Sequence, residues 1–409
     1  MKTWIALTLA FAMVLGLTAC AASTDLMQDV PSSAVDVQPD MEAGAAAAAD
    51  FGVELFQTSL EDGKNTLISP LSVLYALAMT ANGADGETLA QMEQVLGLDS
   101  KNLNSFMLAY MALLSDDLSL ANSIWFTDDP AFVVEDSFLQ TNADYYGASI
   151  YKTPFDEGTR NDINNWVKKH TDGMIPEILD KLPQNAIMYL VNALAFEAEW
   201  EETYEKNQVW NGEFTTADGT RQDVGMMHSE EYAYLEDDLA AGFIKYYEGR
   251  KYAFAALLPN EGVTVAQYVD SLTGGHLLDL LSAPEQVTTF VTMPKFEMEY
   301  DIEMGEALQA MGMTDAFDDV LADFSRLGTY TGEGQNICIS RVLHKTFISV
   351  AEQGTKAGAA TAVEMVTEGA LLIEDYREVV LDRPFVYLLI DCETNLPFFI
   401  GTMMNVQDG

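Results

Sequence analysis

Cysteine, histidine and serine side chains supply most nucleophilic, acid–base and metal-binding chemistry in proteins, but in this sequence their spacing supports none of it. No serine lies in a GxSxG motif, and the sequence contains neither a Walker A loop nor a CxxC or HExxH pair. Three cysteines and four histidines are too few and too scattered for a disulfide framework or a zinc site. The sequence therefore predicts no bound metal and no cofactor, and its motifs identify no reaction. The cysteines are Cys20, Cys338 and Cys392, and the histidines are His170, His228, His276 and His344.

Acidic residues dominate the charge of the chain. Asp and Glu total 64 against 20 Lys and Arg, which gives a formal net charge of -44 over 409 residues. Pairs of carboxylates are therefore too common to indicate a catalytic pair. Such a surface repels phosphate backbones and other polyanions, so the composition predicts that neither nucleic acid nor heparin is a partner.

The first twenty residues predict an export and lipidation signal. Lys2 precedes an apolar run over residues 4–17, which has the length of a signal-peptide core and is short for a membrane span. The run ends in LTAC, and this motif resembles a bacterial lipobox, in which the thiol of Cys20 would be lipidated. An ordinary cleaved signal with a chance cysteine is the alternative.

The rest of the sequence divides into a linker and one domain. Residues 1–19 are predicted as a lipoprotein signal peptide, and residues 20–45 as a lipidated N-terminus and flexible tether because they are rich in Pro, Ser and Ala. No repeat and no interior linker divides residues 46–409, which predicts a single folded domain. The protein is thus expected outside the cytoplasm, anchored by lipid to a bacterial cell membrane or surface, or released from it.

The segment between Gly354 and Pro384 has the pattern of a strand built from unusually small residues. It contains no proline, and its first half alternates between an uncharged face and a face that holds every charge. This alternation predicts a strand inside a sheet, yet Gly and Ala are poor strand formers that move at low steric cost. The segment fits an element with two states, and a plain hinge loop is the alternative. The uncharged face comprises Thr355, Ala357, Ala359, Thr361, Val363, Met365 and Thr367.

The elements that would position this segment are mostly helices in the first part of the chain and strands in the second. Ser69-Pro70 is typical of a helix start, because serine caps the first turn and proline fits its geometry. Strands and helices do not alternate regularly, so the pattern predicts an α+β domain with large mixed or antiparallel sheets. Helices are predicted near 41–60, 70–78, 87–96 and 161–171, and strands near 187–196, 252–258, 287–293, 337–350, 385–390 and 398–406.

Seven stretches resemble sequences of the serpin family and occur in the same order as in that family. The resemblance extends over essentially the whole chain from about residue 47. They are NTLISPLSV (65–73), NNWV (164–167), VNA (191–193) with Phe196 and Trp200, MPKF (293–296), ADFS (322–325), ISRVLHKTF (339–347) followed by EQGTKAGAAT (352–361), and VLDRPFVYLLI (380–390).

This resemblance implies the serpin fold, with helices packed on three β-sheets and an exposed reactive-centre loop at about 354–380. It also implies an activity, in which a target serine or cysteine protease cleaves the loop as a substrate. The freed segment then inserts into the main sheet, and the ester-linked protease is distorted before it can deacylate. The chain would be a monomeric single-use inhibitor, and not an enzyme. A non-inhibitory serpin is one alternative.

The other alternative is a tethered solute-binding lipoprotein, which the tether and the acidity fit equally well. The seven stretches and the missing βαβ alternation argue against it.

The resemblance also assigns residues to three regions that control loop insertion. The shutter is a polar cluster beneath the sheet where strands part, and the breach is the top of the sheet where the loop first enters. An uncharged inserting face without proline favours an inhibitor. Cys338 and Cys392 are expected as free thiols. The hinge comprises Glu352, Gly354, Thr355, Ala357, Ala359 and Ala360; the shutter Ser69, Ser72, Asn192 and His344; the breach Trp200 and Lys295, of which Lys295 would pair with Glu352.

The scissile bond can be placed by two counts that disagree. Counting about 14 residues of strand from Gly354 places it between Glu368 and Gly369. Counting back from Pro384 by the family's spacing places it between Ile373 and Glu374 instead, because this loop is about five residues longer. Glu368 would suit a basic protease pocket, whereas the later residues include apolar ones that suit elastase- or subtilisin-like pockets. We favour the first count, because the distance from the hinge fixes how far the ester travels. The later candidates are Leu371, Leu372, Ile373 and Glu374.

Overall fold

The computed structural model describes residues 23–115, 117–181, 187–332, 336–355 and 375–406. Several predictions therefore concern positions outside the described residues: the signal peptide 1–19, the lipidation site Cys20, the hinge residues Ala357, Ala359 and Ala360, and both placements of the scissile bond, with Glu368, Gly369, Leu371, Leu372, Ile373 and Glu374.

The described helices cluster in the first half of the chain, as the sequence predicts. Side-chain caps explain several of their starts: Asp40 accepts a hydrogen bond from the amide of Ala43, and Ser69 accepts one from the amide of Ser72. None of the helices described is both long and apolar enough to cross a membrane. They are α1 (Met41–Ser59), α2 (Pro70–Ala81), α3 (Gly86–Leu96), α4 (Ser100–Met111), α5 (Asp136–Tyr146), α6 (Glu157–His170), α7 (Val265–Ser271), α8 (Gly274–Ser282) and α9 (Gly305–Ala310).

The described strands form three sheets, in agreement with the implied serpin fold. In chain order they are β1 (Thr24–Asp25), β2 (Thr66–Ile68), β3 (Leu118–Thr127), β4 (Phe132–Val134), β5 (Ser149–Thr153), β6 (Met188–Phe196), β7 (Ala198–Glu199), β8 (Val209–Thr215), β9 (Arg221–Glu236), β10 (Ala240–Tyr246), β11 (Tyr252–Pro259), β12 (Glu285–Pro294), β13 (Phe296–Glu303), β14 (Gly328–Tyr330), β15 (Arg341–Ala351), β16 (Gly354–Thr355), β17 (Arg377–Val380), β18 (Phe385–Asp391) and β19 (Pro397–Met403).

The main sheet has eight strands, in the order β1-β5-β3-β6-β15-β16-β7, with β13 paired to the other edge of β15. A second sheet has nine strands, in the order β17-β12-β9-β10-β11-β18-β19-β2, with β8 also paired to β9. The long strand β9 joins the two halves of this second sheet. Strands β14 and β4 form the third sheet.

Both faces of the main sheet are buried, which explains why β6 is apolar at every position except Asn192. One face packs against the large core that includes α1, α2 and the second sheet. The other face is covered by α6, and Ile163 and Trp166 of that helix pack with Tyr189 and Val191 of β6. A strand in the middle of this sheet therefore faces two different apolar environments.

Residues 23–33 contact the domain, whereas the sequence predicts a flexible tether up to residue 45. Strand β1 pairs with β5, and the hydroxyl of Ser23 donates a 2.6 Å hydrogen bond to Asp162 of α6. Leu26, Met27 and Val30 are partly buried against the large core. The open edge of β5 and these three apolar side chains explain the contact. A boundary at residue 46 falls inside α1, so the ordered contacts begin about twenty residues before it.

Candidate functional site at the split of the main sheet

Two parallel strands of the main sheet, β6 and β15, pair over only part of their length. Residues 341–346 of β15 pair with residues 189–194 of β6. Further along, β15 pairs instead with β16, which runs antiparallel and pairs on its other side with β7. The Gly354–Thr355 pair is therefore already a short strand between β15 and the continuation of β6. The main sheet is split at this end, and the hinge occupies the split.

Gly354 and Thr355 fit the split closely. A Cβ atom on Gly354 would lie 2.1 Å from the carbonyl oxygen of Ala198, so only glycine allows this approach. Thr355 is fully buried, and its Oγ1 lies 2.5 Å from the hydroxyl of Tyr247. The side chain of Thr355 thus points into the large core, on the face that the sequence pattern keeps free of charge.

Trp200 holds the chain immediately before the hinge. Its indole nitrogen donates to the carbonyl of Ala351 at 2.8 Å, and its backbone amide donates to the carbonyl of Gln353 at 2.9 Å. The indole ring stacks on Tyr247, with 4.4 Å between ring centroids. Trp200 therefore connects β15, the hinge and the residue that contacts Thr355.

Lys295 and Glu352 form the pair that the family resemblance implies. The ammonium of Lys295 lies 2.7 Å from Oε1 of Glu352. Partial burial raises the pKa of Glu352, but the hydrogen bond and charge of Lys295 lower it by more, so the net pKa lies below its usual value. Because both side chains are more than a third exposed, we expect the pair to contribute under about 1 kcal/mol.

A second cation at this end, Lys245, was missed from the sequence. Its side chain is only 2% exposed, and Nζ lies 2.7 Å from Oε1 of Glu231. The ammonium also lies 4.7 Å from the ring centroid of Tyr204 and 5.4 Å from that of Trp200. Pairing and ring contacts offset the cost of burying the charge. The sequence does place a lysine within the apolar run of β10, which could have marked Lys245 as unusual. The alternation of residue types along one strand, however, does not reveal its partner on another strand.

The structure brings the four predicted shutter residues together beneath the split. Nε2 of His344 accepts a 2.9 Å hydrogen bond from the amide of Ser69, and Asn192 is the residue opposite His344 on β6. The hydroxyl of Ser72 donates to Oδ1 of Asn122 at 2.9 Å. Asn122 on β3 completes the cluster and was not predicted, since nothing near it in sequence marks it. The shutter therefore bridges three strands of the main sheet and the start of α2.

The shutter is tightly buried but incompletely hydrogen-bonded. Nδ1 of His344 and Oδ1 of Asn192 are buried and have no hydrogen-bond partner among the described residues. Burial lowers the pKa of His344 to about 3, so the ring is neutral at neutral pH. Because these two polar atoms make no hydrogen bond in the closed sheet, fewer hydrogen bonds are lost when the two strands separate, and the free-energy cost of separation is lower.

We expect acidification to destabilise the folded chain through His344. Its pKa is about 3 when folded against 6.5 for an ordinary histidine, so protons bind the unfolded chain more tightly below pH 6.5. Stability from the neutral ring is complete above that pH and falls toward pH 3, by about 1.4 kcal/mol per pH unit. Urea midpoints of wild type and His344→Gln at pH 7.5 and 5.5 test this. His276→Gln, at an exposed position, is the control and should lose as much stability on acidification as the wild type. If the urea midpoint of His344→Gln falls between pH 7.5 and 5.5 by as much as that of the wild type, the prediction is wrong.

The cysteines of the described part are free, as the sequence predicts. Cys338 is buried and Cys392 is half-buried. Burial raises the pKa of the Cys338 thiol to about 11 and that of Cys392 to about 12, so both stay protonated. Among the residues that the structure describes, no group of three or more His, Cys, Asp or Glu side chains could hold a metal ion.

Known proteins match almost the whole length of the chain. A family model described as "Serpin (serine protease inhibitor)" matches residues 46–406. An uncharacterized serpin-like protein of Thermococcus kodakarensis is 29% identical over 401 residues, which cover 94% of this chain and 92% of the relative. The leukocyte elastase inhibitor of Bos taurus is 29% identical over 387 residues, which cover 89% of this chain and 99% of that inhibitor.

Solved structures of one thermophilic serpin, tengpin, allow two conformational states to be compared. The native-state structure is 46% identical, covers 94% of this chain and 100% of its own, and has a TM-score of 0.90. The latent-state structure of tengpin has a TM-score of 0.78. The conformation described here is therefore more similar to the native state of that protein than to its latent state.

Proposed function

The chain belongs to the serpin family, and from that premise we propose that it is a suicide-substrate inhibitor of serine proteases. A protease would cleave the chain after the hinge, and the new end would insert into the main sheet before the acyl-enzyme ester is hydrolysed. The observation that carries the proposal is strand β16, which already occupies the top of the split in the antiparallel direction that insertion requires.

The register of β16 supports a defined insertion path. Thr355 pairs with Val350 on one side and with Ala198 on the other. Extending both ladders one residue at a time brings residue 364 opposite Arg341 and Tyr189, which are themselves partners. Both neighbours therefore accommodate the same strand, 355–364, about 30 Å long at roughly 3.3 Å per residue. Glu368 would follow four residues later, which supports the bond between Glu368 and Gly369 as the scissile bond.

The two faces of such a strand also fit their surroundings. Side chains on the same face as Thr355 would enter the large core, and the sequence places only uncharged residues there up to Thr367. The opposite face would lie toward α6, where Glu364 would be beside Arg341. An unpaired charge on the core face would cost several kcal/mol. The absence of charge from that face supports an inhibitor over a non-inhibitory serpin.

Insertion would replace a weak ladder with two stronger ones. The β6–β15 pairing is parallel, and parallel pairing is slightly less stable per residue than antiparallel pairing. A strand that continues β16 would be antiparallel to both neighbours. The shutter contact between His344 on β15 and the start of α2 would have to adapt as the strands separate, which gives the shutter its gating role.

Trapping is tested by incubation with elastase, subtilisin and a glutamyl endopeptidase. We expect an SDS-resistant complex with the wild-type chain, and none with a protease whose catalytic serine has been blocked. Mass spectrometry of the C-terminal fragment, separated from the complex by denaturation, identifies the scissile bond. A peptide that starts at Gly369 is the expected result, and one that starts at Leu372 or Glu374 would contradict this placement. Cleavage without any complex would indicate a non-inhibitory serpin.

Anchoring through Cys20 is part of the proposal and has its own test. We expect Cys20→Ser to move the protein from the detergent phase to the aqueous phase in a detergent partition experiment, because the acyl chains would be lost. Inhibition should be unchanged, since Cys20 precedes α1 by about twenty residues and the shutter, breach and hinge lie far from it in sequence. Cys392→Ser is the matched control and should stay in the detergent phase. Membrane retention of Cys20→Ser would rule out lipidation at this position.

A further inference from the structure

The exposed aromatic side chains are concentrated on one surface. Four of them, between 38% and 57% exposed, are Trp210, Tyr232, Phe290 and Tyr376, and they are the exposed aromatic residues of the part of the chain that the structure describes. Isolated apolar side chains on a surface are ordinary, but a cluster of exposed rings is typical of a binding surface. All four lie on or beside strands β8, β9, β12 and β17 of the second sheet.

The pairing register places these residues on the same face of that sheet. Glu230 of β9 is opposite Phe290 of β12, and Trp210 of β8 is opposite Met226 of β9. His228 and Glu230 of β9 therefore point to the side of Phe290 and Trp210, whereas Met226, on the same alternation, is buried in the large core at the edge of this surface. We call this surface the outer face, and it comprises Trp210, His228, Glu230, Tyr232, Phe290 and Tyr376.

Contacts within the outer face hold its rings in place. Trp210 stacks on His228 with 3.4 Å between centroids and 9° between planes. The hydroxyl of Tyr232 donates to Glu230 at 2.8 Å, and the rings of Phe290 and Tyr376 are 5.5 Å apart. Burial lowers the pKa of His228, so the stack is neutral. Rings that are already fixed lose little conformational freedom when a partner binds.

The outer face adjoins the point where the chain returns from the reactive-centre loop. Tyr376 directly precedes β17, and Glu378 of β17 is opposite Phe290 on β12. A protease that engages the loop must therefore approach this end of the molecule. The carboxylates of Glu230 and of the exposed Glu378 lie among the rings and give the outer face a negative charge.

We propose that the outer face docks the target protease before the loop is cut, and that it fits a protease with lysine and arginine side chains beside its active-site cleft. Cations pair with carboxylates and pack on aromatic faces, so this surface suits them in both respects. A second copy of the chain fits less well, because it would bring Glu230 and Glu378 against the same carboxylates in a protein of net charge -44. The inference rests on the proposed inhibitory function and adds the class of target.

Association kinetics test the outer face separately from trapping. The probe is elastase, unmodified or with its lysines acetylated, and the measurement is the second-order rate constant of complex formation. We expect Tyr232→Ala with Phe290→Ala to lower this constant about tenfold, with the stoichiometry and melting temperature unchanged. The double variant Glu230→Lys, Glu378→Lys should make the rate constant less dependent on salt concentration. Acetylation of the elastase lysines should also lower the rate constant measured with the wild-type chain. Leu321→Ala and Glu87→Lys, at exposed positions outside the second sheet, are the matched controls.

A second measurement separates the two proposals. Binding of elastase whose catalytic serine is replaced by alanine reports docking without any covalent step. Weaker binding by the outer-face variants supports the inference, even if active elastase forms no SDS-resistant complex and the inhibitory function fails. Unchanged rates and affinities, or equal losses in the controls, would overturn it. A concentration-dependent dimer in ultracentrifugation that Phe290→Ala abolishes would also overturn it, by assigning the face to a second copy.

Discussion

Cleavage of the chain within residues 366–374 is expected to raise its melting temperature by on the order of 20 °C. The inserted strand 355–364 would form backbone hydrogen bonds to β15 and β6, each contributing about 1 kcal/mol. It would also fill the split with side chains matched to the large core on one face and to the α6 side on the other. In a domain of this size each kcal/mol shifts the melting temperature by about 2 °C, so roughly ten new bonds account for the expected rise.

Calorimetry before and after limited proteolysis measures this change. Mass spectrometry must show that the cut lies within residues 366–374 and that both fragments remain associated. The control is Thr355→Arg cut at the same bond. This variant should be unable to continue β16, so its melting temperature should be the same before and after cleavage. A melting curve of the wild type that does not change after loop cleavage would exclude the inhibitory mechanism.

The expected rise depends on a native state that is less stable than the inserted one, and particular contacts show why. The β6–β15 ladder stops after residues 194 and 346, although both strands continue. Beyond that point, the described residues that lie in the split are the two of β16. The shutter beneath it leaves two buried polar atoms without partners among the described residues. Each feature is a local cost that insertion of a full strand can remove.

The sequence predicted local structure and the faces of strands better than it predicted which side chains contact each other across the fold. The helix start at Ser69 follows from capping chemistry, and β6 over Met188–Phe196 follows from its apolar run. The uncharged face that begins at Thr355 agrees with the burial of that side chain against Tyr247. Period-two alternation identifies which side chains share a face, because it follows from the geometry of one strand.

Long-range contacts could not be predicted in this way. Lys245 lies among apolar residues in sequence, but its partner Glu231 is on another strand and its ring contacts lie elsewhere in the chain. Asn122 joins the shutter only because β3 lies beside β6. The prediction of a tether likewise used composition, whereas Thr24 and Asp25 pair with the open edge of β5. In each case the decisive contact depends on the tertiary fold.

Charge also concealed some strands. The sequence of β9, RQDVGMMHSEEYAYLE, mixes acidic and apolar residues without a clear period, and this strand was not predicted. In the structure it lies between the two halves of the second sheet, and its residues His228, Glu230 and Tyr232 lie on the outer face. The surface that we assign to protease docking therefore arises from a strand that alternation did not reveal.

Thr355→Arg is expected to convert the protein from an inhibitor into a substrate of the same protease. Thr355 is fully buried, and its Oγ1 contacts the hydroxyl of Tyr247. An arginine there must bury its guanidinium against this core or pull β16 out of the split. Burial of the guanidinium costs several kcal/mol, so we expect β16 to leave the split. Insertion must then return it there against this cost, which raises the barrier, whereas cleavage of the loop does not depend on this side chain.

The consequence follows from competition between two rates. After acylation, the ester is either carried along the main sheet by insertion or hydrolysed by the protease, and only the first path traps the enzyme. A barrier raised by about 3 kcal/mol slows insertion roughly 100-fold, so the ester is hydrolysed before insertion is complete. Titration of protease activity should then show about a tenfold or greater rise in inhibitor consumed per enzyme trapped, with cleaved chain replacing the SDS-resistant complex. Thr355→Val, which keeps the size and loses only the hydroxyl, should still trap. Equimolar trapping by Thr355→Arg would show that insertion does not require an uncharged side chain at position 355 in the core.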